Sequence, residues 1–156
     1  MLTNFLITLL DKLYLQMRPI NILHIDDSEG DIMLMQHAFE EANFSHSLTI
    51  AKNGYEALLY LHKIVVNKDC LDPDLILLDI NMPLMDGYEV LDTIKNDDKT
   101  KHIPVIMFTT SSSEKDILKS YQKHVNRYVV KPENLDDLTD VAKSIQDFWV
   151  KTACLP

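Results

Sequence analysis

Hydrophobic positions along the chain alternate between two rhythms. Residues 20–25 (Ile-Asn-Ile-Leu-His-Ile) are a short run rich in β-branched residues and predict a strand. Residues 29–43 follow with Ile32, Met35, Phe39 and Ala42 at helical spacing. Residues 47–51 predict a second strand, Asn53-Gly54 punctuates it, and Ala57, Leu58, Leu61 and Val65 form the next helical stripe. A polar turn around Cys70–Pro73 leads into Leu75-Ile76-Leu77-Leu78, an unbroken apolar run of the kind buried on both faces of a parallel sheet.

The rhythm then repeats. Residues 86–95 predict a helix started by Asp86, and Pro104 opens the apolar run Val105-Ile106-Met107-Phe108. Ser111, Ser112 or Ser113 can cap a helix over 113–123, with Glu114 and Asp116 in its favourable first turn. Arg127-Tyr128-Val129-Val130 is a last strand, closed by Pro132. Asn134 caps a final helix carrying Leu135, Leu138, Val141, Ala142, Ile145 and Trp149 on one face. Strand and helix thus alternate through five βα units, which implies an α/β fold: a doubly wound parallel sheet with helices on both faces and right-handed crossovers.

Residues 1–18 lie outside this pattern. Leu2, Phe5, Leu6, Leu9, Leu10 and Leu13 share a helical stripe, which predicts an N-terminal extension packing on the domain or on a second subunit. Met17, directly before the first strand, is an alternative start. The domain proper spans 19–150, and 151–156 form a tail.

Charge narrows the function. With 24 Asp+Glu against 15 Lys+Arg, the net charge is −9, which argues against nucleic-acid coating and against attraction to an anionic membrane. Cys70 and Cys154 form neither a C-x-x-C pair nor a cluster with His. Free thiols suit a reducing, cytoplasmic setting.

In an open α/β sheet, ligands bind beyond the carboxyl ends of the strands. Those ends carry Asp26-Asp27, Asp79, Thr109-Thr110 and Lys131-Pro132. Any one of them has an ordinary structural explanation as a helix cap or turn residue. Together they place three carboxylates, a hydroxyl and an ammonium on one edge, which folding does not require. Crowded carboxylates repel unless a cation joins them. Mg²⁺ prefers oxygen ligands, so Asp27 and Asp79 are expected to bind it directly, Asp26 through water, and a backbone carbonyl near Asn81 to complete the set. A carboxylate beside such a cation can act as a nucleophile on phosphorus. Asp79, on the buried third strand, is the candidate, with Lys131 and Thr109 placed to contact the phosphoryl oxygens.

These residues resemble the receiver domain of two-component response regulators. The resemblance rests on Ile25-Asp26-Asp27-Ser28, on the run from Leu77 to Gly87 (Leu-Leu-Asp-Ile-Asn-Met-Pro-Leu-Met-Asp-Gly), on Phe108-Thr109-Thr110-Ser111, and on Tyr128-Val129-Val130-Lys131-Pro132. Residues 120–126 and the stretch from Asp147 to Pro156 are further similar to the stand-alone regulators paired with cyanobacterial phytochromes.

The resemblance implies a flavodoxin-like receiver with strand order 2-1-3-4-5. It implies phosphotransfer from a sensor histidine kinase to Asp79 and Mg²⁺ at Asp26, Asp27, Asp79 and the Asn81 carbonyl. It also implies a cis bond before Pro132 and a switch in which Thr109 moves toward the phosphoryl group while Tyr128 turns inward. Output would pass through the helix over 113–123, the strand 127–130 and the last helix, a face that can also support a homodimer. Because only a short tail follows, output is expected through protein contacts rather than DNA.

Two rival readings compete with this one. One is a phosphorylation-independent interaction module. The other is an aspartate-nucleophile, Mg²⁺-dependent phosphatase, which needs a second Asp where this chain has Asn81. An FMN-binding flavodoxin is disfavoured because Asp26, Asp27 and Glu29 would repel a phosphate.

Overall fold

A computed structural model describes residues 2–43, 45–67 and 72–152. Cys70, Cys154 and residues 153–156 lie outside them, as does the Trp149 side chain.

The elements run α1 (Leu2–Met17), β1 (Ile20–Ile25), α2 (Glu29–Glu41), β2 (His46–Ala51), α3 (Gly54–Val66), β3 (Leu75–Leu78), α4 (Gly87–Asn96), β4 (Val105–Thr109), α5 (Glu114–Gln122), β5 (Arg127–Val130) and α6 (Leu135–Thr152). The five strands form one sheet in the order β2-β1-β3-β4-β5, and every neighbouring pair is parallel. This is the expected doubly wound architecture.

The unbroken apolar runs are explained by burial on both faces. Strand side chains alternate. Ile76 and Leu78 of β3, with Val105 and Met107 of β4, point into a core roofed by α3 and α4. Leu75, Leu77, Ile106 and Phe108 point the other way, toward α2 and α6.

Helix ends follow local chemistry. Ser28, Asn53, Asp86 and Ser113 each accept a backbone N–H with the side chain at the start of α2, α3, α4 and α5, so Ser113 is the cap among the three candidate serines. At α4 the cap is reciprocal: the Asp86 side chain accepts from Glu89 N–H, and the Glu89 carboxylate accepts from Asp86 N–H. The helix expected over 29–43 stops at Glu41 because Asn43 turns left-handed, with φ 53°.

Residues 2–17 are helical as the pattern predicts, but their stripe does not pack on the domain. Leu2, Phe5, Leu6, Leu9, Leu10 and Leu13 are all exposed. What ties the segment down is its exit: Arg18 donates both guanidinium arms to Asp74, at 2.8 and 2.7 Å, just before β3.

Candidate functional site

Parallel order brings the carboxyl ends of β1, β3, β4 and β5 to one edge of the sheet. Asp26 and Asp27 follow β1, Asp79 follows β3, Thr109 ends β4, and Lys131 follows β5. Backbone hydrogen bonds continue the ladder past the strands and fix these positions. Asp79 N–H donates to Ile25 C=O at 3.0 Å, Asp26 N–H to Ala51 C=O at 3.1 Å, and Lys131 N–H to Thr109 C=O at 2.7 Å.

Asp26, Asp27 and Asp79 each offer a carboxylate oxygen, and these lie within 4.8 Å of one another. Asp26 and Asp79 are buried while Asp27 is exposed, so the cluster opens to solvent on one side. Asn81 sits two residues beyond Asp79 in the exposed start of the loop to α4.

Lys131 reaches into this cluster with a side chain only 6% exposed. Its Nζ donates to Asp26 Oδ2 at 2.7 Å and to Asp31 Oδ2 at 2.8 Å, and lies 3.5 Å from Asp79 Oδ2. Among the described residues there is no cis peptide bond. The bond before Pro132 is therefore trans, a correction to the cis bond the resemblance implied. Trans is the isomer an X–Pro amide favours by about 0.5–1 kcal/mol, and Lys131 reaches the carboxylates from it.

The two buried carboxyls are driven in opposite directions. Burial pushes Asp26 up, but the nearby His24 imidazole, the Lys131 ammonium and the Ser28 N–H together hold it below its ordinary value. For Asp79, burial dominates and raises it. Lys131 opposes that rise, the negative charge of Asp26 adds to it, and hydrogen bonds from Thr109 and the Ile80 N–H oppose it. Burial also works against the Lys131 ammonium, yet Asp26, Asp31 and Asp79 outweigh it and raise its pKa. Of these two buried carboxyls Asp79 has the less to hold its charge, and a further cation beside it would favour that charge.

Thr109 is fully buried, and its Oγ1 accepts weakly from Ser111 N–H at 3.4 Å. Tyr128 is half-buried beside the α3–α4 core, and its hydroxyl donates to the Ser111 carbonyl at 2.8 Å. Ser111 Oγ donates to Asp116 Oδ2 at 2.6 Å, and Tyr88 Oη donates to Asp116 Oδ1 at 2.8 Å. The loop after Thr109 is therefore bonded to β5 and α5, and α5 is bonded in turn to α4.

Sequence reasoning missed three of these participants. Asp31 lies on the first turn of α2, four residues after Asp27, where a helix start turns its acid toward the sheet edge. His24 shares a strand face with Asp26. Its Nε2 is 3.5 Å from Asp26 Oδ2, long for a hydrogen bond, and neither ring nitrogen has a hydrogen-bond partner. Asp116 was legible only as a favourable first-turn acid of α5.

A sheet edge with three clustered acids, a buried lysine and a strand-end threonine defines a class, and residues 22–143 match the model described as "Response regulator receiver domain". The chain belongs to that family. Members receive phosphoryl groups from sensor histidine kinases and are in general signalling modules rather than independent enzymes.

Among relatives, the chain is 40% identical over 138 residues to response regulator Rcp1 of Synechocystis sp., covering 88% of this chain and 94% of that protein. Among solved structures it is similar to the phosphorylated cyanobacterial phytochrome response regulator RcpA, with 41% identity, TM-score 0.79, and coverage of 88% of this chain and 99% of that one. It is also similar to the Mn²⁺-bound form of Rcp1, with 40% identity, TM-score 0.76 and the same coverages. Among the described residues, no helix is long and apolar enough to cross a membrane.

Proposed function

We propose that this chain is a single-domain response regulator that accepts a phosphoryl group on Asp79 from a sensor histidine kinase, with a bacterial phytochrome as the kinase's sensory class. The observation that carries the reading is the position of Asp79. It is 7% exposed at the end of the central strand, its charge is disfavoured by burial, and Lys131 stands 3.5 Å away. A carboxylate oxygen attacks phosphorus, the phosphorus–nitrogen bond to the kinase histidine breaks, and its electron pair leaves on the imidazole, which takes up a proton.

Asp26, Asp27 and Asp79, with the carbonyl of Asn81, would hold Mg²⁺. The donor set fits, being all hard oxygen, and three carboxylates within 4.8 Å outnumber the single Lys131 ammonium that reaches them. When bound, the ion neutralises charge on the transferring oxygens. The protein's own part is to hold Asp79 still through the Ile80 N–H, to supply positive charge from Lys131, and to offer the Thr109 hydroxyl.

Signalling follows from the loop after Thr109. Movement of Thr109 toward a phosphoryl oxygen pulls on the Ser111 carbonyl that Tyr128 binds, and so biases a ring that is only half-buried. The face formed by α5, β5 and α6 exposes Leu118, Tyr121 and Val130, which suits protein contact or a homodimer there. A cytoplasmic location fits a kinase partner.

The test is phosphoryl transfer from a phosphorylated phytochrome-type kinase, with Mg²⁺, to the native chain and to Asp79→Asn. Transfer to the native chain alone is expected. Equal labelling of both removes Asp79 as acceptor, and sustained turnover of a generic phosphate ester favours the phosphatase reading.

A further inference from the structure

Lys131 has three N–H donors and three carboxylates around it. Two of those carboxylates, Asp26 and Asp79, belong to the cluster that would hold a cation; Asp31 does not. Asp31 is reached from a different direction. It sits on α2 rather than on the sheet edge, and its half-buried carboxylate takes a hydrogen bond from Lys131 Nζ at 2.8 Å.

The local chemistry of α2 explains why that carboxylate is free to do so. Asp31 is the third residue after the cap Ser28, and its own N–H donates to Ser28 Oγ at 3.2 Å. An acid at this position commonly folds back onto the N–H of the cap residue, as Glu89 does for Asp86 in α4. In α2 that donor is already taken, because Ser28 N–H donates to Asp26 Oδ1 at 2.9 Å. The Asp31 carboxylate therefore turns to Lys131.

We infer that Asp31 is a positioning residue: it anchors the Lys131 ammonium beside Asp79 when a divalent cation draws Asp26 away. The inference rests on the phosphoacceptor reading above. A lysine is a point charge on a flexible four-carbon stem. Once Asp26 serves the cation, Lys131 keeps one fixed partner, Asp31, and faces one reacting group, Asp79. Without Asp31 the ammonium has only the reacting group itself to orient it and is repelled by the nearby cation.

Asp31→Asn, which preserves shape and the cap contact of the backbone, tests this alone and in a Lys131→Ala background. Two readouts apply. In the first, acetyl phosphate with Mg²⁺ labels the protein, and Mg²⁺ affinity is measured by calorimetry. Asp31→Asn is expected to lower the labelling rate about 10-fold, the lower end of the loss typical for an outer partner of a metal or catalytic group, with Mg²⁺ affinity unchanged. In the Lys131→Ala background it is expected to lower the rate no further. An unchanged or faster rate, a parallel loss of Mg²⁺ affinity, or an equal loss without Lys131 overturns the inference.

In the second readout, nitrogen-detected NMR follows the Lys131 ammonium as Mg²⁺ is titrated. Protection from exchange is expected to persist in the native chain and to vanish in Asp31→Asn; protection in both overturns the inference. If the native chain accepts no phosphoryl group at all, the phosphoacceptor reading fails, while the NMR readout still decides the anchor.

Discussion

Replacing Gly87 with alanine puts a methyl group where the structure has no room. Gly87 opens α4, and its N–H donates to Ile80 C=O at 2.8 Å. A Cβ there would lie 2.2 Å from the Asp79 carbonyl oxygen, 2.8 Å from Ile80 Cα and 2.9 Å from the Asp79 carbonyl carbon. Carbon atoms in contact settle at about 3.5–4.0 Å, so something must move by about 1 Å. All three obstructing atoms are backbone, and two belong to the proposed phosphoacceptor. No flexible side-chain end can yield.

Overpacking of this kind costs about 1–3 kcal/mol. The gain in helix propensity, at most about 1 kcal/mol in a helix interior, is smaller at the first position. A net loss of about 1–2 kcal/mol is expected, lowering Tm by roughly 2–4 °C per kcal/mol in a chain of this size. Moving the Asp79 backbone also costs phosphorylation, since a misplacement of about 1 Å can reduce a reaction 100-fold. Scanning calorimetry and acetyl-phosphate labelling read the two effects. Gly30→Ala is the control, because its Cβ would meet only Ser28 Oγ at 3.9 Å; it should be neutral or stabilising by up to about 1 kcal/mol. A Gly87→Ala protein as stable and as readily labelled as the native one refutes the steric argument.

Other outcomes follow from the same edge. Lys131→Ala removes the buried cation among three carboxylates, so the metal-free protein should lose stability, by about 3–5 kcal/mol as for a broken buried pair; urea titration should show Mg²⁺ restoring part of it. Asp79→Asn should raise Tm of the metal-free protein at neutral pH, because burial raises the Asp79 carboxyl and its ionised form costs stability above that value. That advantage should shrink as pH falls and native Asp79 becomes protonated, and calorimetry across pH without metal reads it. Asp26 has the opposite sign: its depressed pKa contributes stability above the unfolded value, which is lost as pH falls through the folded value. Asp26→Asn should therefore destabilise the metal-free protein at neutral pH and matter progressively less in acid. Tyr128→Phe deletes the hydrogen bond to Ser111 C=O and should cost at most about 1 kcal/mol by urea titration, while leaving Asp79 labelling intact.

The strands were legible because burial on both sheet faces leaves apolar runs that survive without context. Ile20–Ile25 and Leu75–Leu78 coincide with the predicted ranges. Helix starts were legible where a side chain caps its own helix, as with Asp86. What the pattern could not carry was long-range. Lys131 meets Asp31 across 100 residues, a contact that depends on which acid of α2 faces β5 after the Ser28 N–H has been claimed. The trans bond before Pro132 and the exposed stripe of α1 depend likewise on what surrounds each segment, and the hydrophobic period is the same in either outcome. The strand-end acids, Thr109 and Lys131 were readable because parallel order alone brings their ends together.

The proposed role of Asp79 as carrier of the phosphoryl group can be tested on the residue itself. Its direct test is reductive trapping: incubate the chain with acetyl phosphate and Mg²⁺, reduce with borohydride, and locate the converted residue by tandem mass spectrometry. Conversion of Asp79 to homoserine, dependent on Mg²⁺, is expected. Conversion of Asp26, Asp27 or another carboxylate in its place, or no Mg²⁺-dependent conversion at all, would contradict that role.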